Sequence, residues 1–220
     1  MQAPGIDCRL LLVSGDAQRR LLPNNEMEDS AGLNEKTLSN PAVVGLAGFG
    51  GTTLLLQFHN FGLCGASPVL WTALFFGGLM QLIAGMKEFG TGNIFGFVAF
   101  SSYGGFWMVF AGILLGTQFG ILQPTTTDIG WFLVVFTLIT AVFLIGAIRI
   151  SGAHGFLFLT LLIGFVCLDI SFLGGPAVSF FTTVAAVVLT MCALSAWYIM
   201  AHIALTPLNV RIPLGKPLVG

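Results

Sequence analysis

Long apolar runs separated by short polar interruptions give this chain its pattern. Six runs, over about 41–62, 66–86, 94–115, 130–149, 153–173 and 177–204, each hold about 20 residues. A helix of that length spans roughly 30 Å of hydrocarbon. Membrane-crossing strands would give shorter alternating segments, which the sequence lacks. The pattern therefore predicts an all-α polytopic membrane protein with six transmembrane helices per protomer. The connections at 63–65 and 174–176 are the tightest, so spans one and two, and five and six, should be antiparallel neighbours. The longest connection is 116–130, which holds Asp128.

Charge orients this pattern. Arg9, Arg19, Arg20 and Lys36 precede the first run, Lys87 follows the second, Arg149 the fourth, and Arg211 and Lys216 the sixth. The other connections have no Lys or Arg. Cytoplasmic loops retain positive charge, so both termini are expected in the cytoplasm, in a multi-pass protein of the cell (plasma) membrane. Charged residues make up 8% of the 220 and hydrophobic ones 56%, against about 25% charged in soluble domains. The division predicted is a polar, mobile cytoplasmic tail over 1–39, a transport domain over 40–206 and a short cytoplasmic tail over 207–220. The run 10–13 is too short for a signal-peptide core. A net charge of −1 gives no nucleic-acid footprint. Cys8, Cys64, Cys167 and Cys192 lack metal-ligand spacing and read as packing residues.

Two repeats bear on organisation. Gly45-Leu-Ala-Gly-Phe49, Gly96-Phe-Val-Ala-Phe100 and Gly155-Phe-Leu-Phe-Leu159 sit near the starts of the odd spans. They read either as three parallel helices around one path or as coincidence in a chain with 29 Gly and 21 Phe. Gly112, Gly116 and Gly120, like Gly92 and Gly96, recur every four residues, a spacing that lets helix backbones approach in lipid.

No catalytic or metal constellation stands out. His59, His154 and His202 are scattered, so neither an enzyme, a metal site nor a cofactor is expected. Lys and Arg are absent from mid-depth, and Asp169 falls near the outer end of span five. Hydroxyls, amides and aromatics remain, a lining suited to a small, weakly charged or protonatable solute. Phe49, Tyr103 and Leu161 all fall roughly 12–14 Å from the cytoplasmic edge at 1.5 Å per residue. They would form one narrow ring if the odd helices line a path; bulky residues also occur at every other depth. Thr53, Gln57 and Asn60 continue the helical face of Phe49, with Thr52 and His59 beside them. Such a stripe must face protein or water. Gln81 reads equally as an interhelical bond or a path residue. Lys87 and Glu88 read as an interface anchor, or Glu88 as a proton-coupling group. His59 reads as a structural hydrogen bond or a proton sensor. Asn40 and Pro41 resemble part of the aquaporin signature, but a single copy reads better as a cap and first helical residue. That start presents backbone N–H groups to an anion.

The run Asn40-Pro-Ala-Val-Val-Gly-Leu-Ala-Gly-Phe-Gly50 resembles the N-P-A-P-L-G-L-x-x-F-G signature of the acetate uptake transporter family, which includes bacterial succinate–acetate permeases (the GPR1-FUN34-YaaH type). Thr52-Thr53, His59-Asn60, Gln81, Glu88, Gly92-Asn93 and Ser102-Tyr103-Gly104 followed by Phe106-Trp107 extend the similarity. Val43 departs from it, standing where the family has a second proline. The resemblance implies a ring-shaped homohexamer with a path for acetate through each protomer. It also implies a constriction at Phe49, Tyr103 and Leu161. Asn40, Pro41, Gly45, Leu46, Thr52, Thr53, Gln57, Asn60, Gln81, Ser102 and Thr160 are the candidate path residues. Tyr103 is expected to donate a hydrogen bond while narrowing the path.

Transport of acetate, with succinate and other short carboxylates, is thus the leading expectation, as an anion channel or a proton-coupled symporter. The rivals are a non-transporting membrane sensor or assembly protein, motivated by the acidic tail and Val43, and a channel for a neutral solute.

Overall fold

A computed structural model describes residues 39–219. The expectations for the N-terminal tail and for Cys8 fall outside these residues. Six helices long and apolar enough to cross a membrane follow one another. They are α1 (Ala42–Asn60), α2 (Ala66–Thr91), α3 (Ile94–Gln118), α4 (Thr126–Ile150), α5 (Gly152–Leu173) and α6 (Phe180–Leu205).

Local chemistry sets the ends. Asn40 Oδ1 accepts from the Ala42 N–H at 2.9 Å, Asn93 Oδ1 from Gly96 N–H at 3.1 Å, and Ser151 Oγ from His154 N–H at 3.3 Å. Each answers a donor that a helix start leaves without an intrahelical partner. Thr125 and Asp128 form a reciprocal capping box on α4. Gly92 closes α2 at φ +78°, a conformation other residues adopt only with strain.

Several helices outrun their apolar cores. Lys87 lies inside α2, and Asp128 and Arg149 inside α4. The α3–α4 connection therefore shrinks to 119–125, because capping and backbone bonding extend helices into polar sequence.

Packing runs in the order α4, α5, α6, α1, α2, α3. The α1–α2 contact is unusually close. At its centre α2 passes through a π-helical turn, Phe75–Met80. Gly48 of α1 lies against the Phe76 carbonyl, and a Cβ on Gly77 would meet Thr52 Oγ1 at 2.6 Å. The α3 and α4 backbones touch little, and aromatic rings fill the space between them. Phe106 stacks on Phe132 at 5.2 Å and meets Phe136 edge-on at 4.8 Å, while Tyr103 and Phe95 each approach Phe143 at 5.9 Å.

The glycine repeats do other work than expected. Gly92 and Gly120 have positive φ at helix ends, and Gly112 faces open space in this protomer. The Gly-bulky echo also fails to place equivalent side chains, since Leu159 is exposed whereas Phe49 is buried. Asp169 joins α5 to α4, its Oδ2 accepting from Thr137 Oγ1 at 2.6 Å.

The C-terminal segment lies along the helix ends. Ala153 N–H donates to the Leu214 carbonyl at 2.9 Å and Leu218 N–H to the Ile148 carbonyl at 2.8 Å. His202 Nδ1 and the Tyr198 hydroxyl also bond tail carbonyls, at Ile212 and Pro213. The tail thus answers backbone groups that two helix ends leave open.

Gly48→Ala should destabilise the protein by about 1–3 kcal/mol, because the added methyl meets backbone that cannot turn aside. A lowered melting temperature of the detergent-solubilised protein checks this; Gly90→Ala, facing open space, serves as control.

Candidate functional site

Two chambers among the described residues of the bundle share a wall. The wider, of about 370 Å³, lies where α1, α3 and α5 begin, among Ala42, Leu46, Asn93, Gly96, Ala99, His154, Leu157 and Phe158. Gln81, Ile150 and Ile203 reach it from the even helices. The narrower, of about 40 Å³, lies further along the odd helices, among Thr53, Gln57, Phe106, Trp107, Leu161 and Phe165, with Leu189 from α6. Phe49 and Tyr103 line both. Their ring centroids stand 5.7 Å apart, so their contact forms the partition. Leu161 borders the narrow chamber alone. All three residues come about 10–14 Å from the first residue of their helices at 1.5 Å per residue.

Tyr103 does not present a free proton. Thr140 Oγ1 donates to the Phe136 carbonyl at 2.6 Å, so its single hydrogen is engaged. The Tyr103 hydroxyl, 2.8 Å from that same Oγ1, is therefore the donor. The hydrogen bond expected for a solute is spent on α4, which fixes the ring edge-on beside the partition. Sequence reasoning missed Thr140; the available signal was a hydroxyl in the middle of the apolar run of α4.

Unanswered polar atoms border the chambers. Gln81 is 1% exposed and lines the wide chamber, with neither Nε2 nor Oε1 bonded. Thr53 Oγ1 and Trp107 Nε1 are likewise buried and unbonded, on residues of the narrow chamber. Gln57 Nε2 donates to the Thr53 carbonyl at 2.9 Å, and its Oε1 accepts from Asn60 at 2.9 Å. Asn60 itself is exposed at the end of the stripe.

Lys87 and Glu88 part company. Lys87 is exposed, but Glu88 is 2% exposed, so it is no interface anchor. Its Oε2 accepts from Asn93 Nδ2 at 2.8 Å and from Thr91 Oγ1 at 3.3 Å. Glu88 thus stands behind Asn93, which caps α3 and borders the wide chamber. His154 lies on the chamber wall with Nδ1 2.8 Å from Ser151 Oγ.

The remaining candidates scatter. Thr52 donates to the Thr72 carbonyl at 3.3 Å and packs under the π-turn. Thr160 bonds carbonyls of its own helix, at Phe156 and Leu157. Neither these two nor Ser102 lines either chamber. His59 Nδ1 lies 3.0 Å from the Cys64 carbonyl in the α1–α2 turn. Gly45 makes room for the Phe100 ring, Leu46 lines the wide chamber, and Asn40 and Pro41 start α1. Among the described residues no three His, Cys, Asp or Glu side chains gather to hold a metal.

Comparison with known proteins bears on this arrangement. A family model described as the GPR1/FUN34/yaaH family matches residues 25–216. The chain is 35% identical over 147 residues to the succinate-acetate/proton symporter SatP of Escherichia coli strain K12, spanning 66% of this chain and 78% of that protein. It is 36% identical over 171 residues to ammonia transport outward protein 2 of Saccharomyces cerevisiae, spanning 73% and 59%. A solved structure described as that of the bacterial acetate channel SatP superposes with a TM-score of 0.75 at 34% identity, covering 81% of this chain and 100% of that one.

The Tyr103–Thr140 pair yields an asymmetric expectation. Thr140→Val should cost about 1–3 kcal/mol by leaving the buried tyrosine hydroxyl unmatched. Tyr103→Phe should cost less, because Thr140 retains its bond to Phe136. Denaturant titration of both variants and the double variant in detergent checks the order.

Proposed function

The chain belongs to the GPR1/FUN34/yaaH family of multi-pass membrane proteins, and from that premise we propose that it carries acetate, with succinate and other short carboxylates, through a path inside each protomer. The observation that carries this reading is the pair of chambers meeting at Phe49 and Tyr103, with no Lys, Arg, Asp or Glu among the described residues of either wall.

The absence of fixed charge has a physical use. A cation 4 Å from a carboxylate holds it by about 4 kcal/mol at an effective dielectric of 20. That is nearly three decades of residence at 1.4 kcal/mol per decade. Conduction needs binding weak enough to release. Attraction here comes from three parallel helix starts, those of α1, α3 and α5, whose positive dipole ends surround the wide chamber. The even helices bring C-termini to the same face, but only Ile150 and Ile203 of those ends reach the wall. In the wide chamber Gln81 Nε2 offers a neutral donor for the carboxylate and Phe49 suits its methyl group, while Leu161 gives the methyl an apolar contact in the narrow chamber.

We place the wide chamber on the cytoplasmic side, with both termini there, because Lys87, Arg149, Arg211 and Lys216 all lie at that end of the helices. A homohexamer is the proposed assembly; Gly105 and Gly112 leave α3 an open small-residue face for a neighbouring helix. The protein is read as a transporter and not an enzyme. The uncharged lining favours a channel over carboxylate-coupled symport. Glu88 is the candidate for any proton coupling, through Asn93; His59, tied to the α1–α2 turn, is a poorer one. The name of the yeast relative motivates a second reading, passage of neutral ammonia, which acetate would not compete away.

Purified protein in liposomes should pass labelled acetate, which a sensor or assembly protein would not. Flux driven by membrane potential without proton movement would establish the channel, and obligatory co-movement a symporter. Phe49→Ala, Tyr103→Ala and Leu161→Ala should each raise labelled-lactate uptake relative to acetate. If all three leave both uptakes unchanged, the constriction is elsewhere.

A further inference from the structure

We infer that the end of α4 and the C-terminal segment together bind an anionic phospholipid, its phosphate held between Arg149 and Lys216. The inference is independent of the cargo and goes beyond the transport reading by assigning a surface and its partner.

The acyl half of the site is a stripe on α4. Trp131, Val135, Leu138, Val142, Ile145 and Arg149 recur at alternating steps of four and three, so they share one helical face. The five apolar members are each more than half exposed, and α4 is the least buried of the six spans. Arg149, also exposed, ends the stripe. From Leu138 to Arg149 is about 16 Å at 1.5 Å per residue. That is about the depth of one leaflet in a hydrocarbon core roughly 30 Å thick.

The C-terminal segment brings the second cation. The Leu214 carbonyl accepts from Ala153 N–H and Leu218 N–H donates to the Ile148 carbonyl, so Lys216 is pinned from both sides. A Cβ on Gly152 would lie 3.6 Å from the Lys216 carbonyl oxygen. Lys216 therefore sits over the α4–α5 junction, beside the end of the stripe, with its side chain exposed. This backbone is fixed without a ligand, so little ordering remains to oppose binding.

Charge and shape choose the occupant. Among the described residues the exposed charges at this end are Lys87, Arg149, Arg211 and Lys216, all positive. Glu88 is buried, and Asp128 and Asp169 lie towards the opposite end. A second copy in the same orientation would bring like charge to the same height. The stripe also lacks the small residues that let helices approach in lipid, which α3 offers at Gly105 and Gly112. A free phosphate would leave the apolar face unused. A phospholipid answers both parts, its chains along the stripe and its phosphate at the two cations.

The test uses the full-length protein, delipidated in detergent and offered phosphatidylglycerol or phosphatidylcholine of equal chain length. Native mass spectrometry counts the lipid retained. Phosphatidylglycerol should be preferred, and the preference should fall about fivefold for each cation removed by Arg149→Gln or Lys216→Gln. Lys87→Gln, at the same end but on α2, should leave it unchanged, and inorganic phosphate at matched ionic strength should not displace the lipid. Lys216 lies outside the helices, so its variant reads the site even if Arg149→Gln fails to fold. Equal retention of both lipids, an unchanged preference in Lys216→Gln, an equal loss in Lys87→Gln, or displacement by free phosphate would each overturn the site.

Discussion

Lipid offers no hydrogen bonds, so every polar group within the six helices must be answered by protein, water or a passing solute. Most are answered by protein, and these answers hold helices together. Tyr103 reaches Thr140 across the α3–α4 seam, Thr137 reaches Asp169 across α4 and α5, and Glu88 receives Asn93 at the α2–α3 joint. Among the described residues, the buried polar atoms left over divide in two. Those of Gln81, Thr53 and Trp107 belong to chamber-lining residues, while those of Ser101, Asp169 and Glu88 belong to residues on neither chamber wall. The first group gives the interior its chemistry.

Making a corridor without opening the bundle needs uneven packing. Where α1 meets α2, glycines and the π-turn bring backbones almost into contact. Where α3 faces α4, rings supply the bulk that the backbones do not. The same aromatic cluster includes Tyr103, so the partition between the chambers is held by neighbours on several helices and not by one side chain. Protein interiors packed this densely resist small displacements, which keeps Phe49 and Tyr103 in register.

The helix ends are treated as carefully as the middle. Asn40, Asn93 and Ser151 cap the three odd helices, and the C-terminal segment donates to and accepts from the exposed ends of α4 and α5. Capping answers only some of the free N–H groups at each start, so the positive ends of three dipoles still surround the wide chamber. An anion can be drawn there without a cation to trap it.

The number of helices, their order and the residues that start α1 were legible in the sequence, because hydrophobic length and capping chemistry are local properties. Family membership was legible for a similar reason, being carried by a contiguous motif at Asn40 to Gly50. Rotation about each helix axis was not. Thr52 and Thr53 are adjacent in sequence, yet one packs beneath α2 and the other lines a chamber. Glu88 and Lys87 divide in the same way between interior and surface. Neighbouring residues on a helix point about 100° apart, and which of them faces a cavity depends on where partner helices stand. The roles of Thr140 and Trp107, and the diversion of the Tyr103 hydroxyl from the path, were likewise decided only when α3 was set beside α4 and α5. The Tyr103–Thr140 bond joins residues 37 positions apart, and the narrow chamber brings Trp107 to one wall with Leu161 and Phe165; no local pattern encodes either.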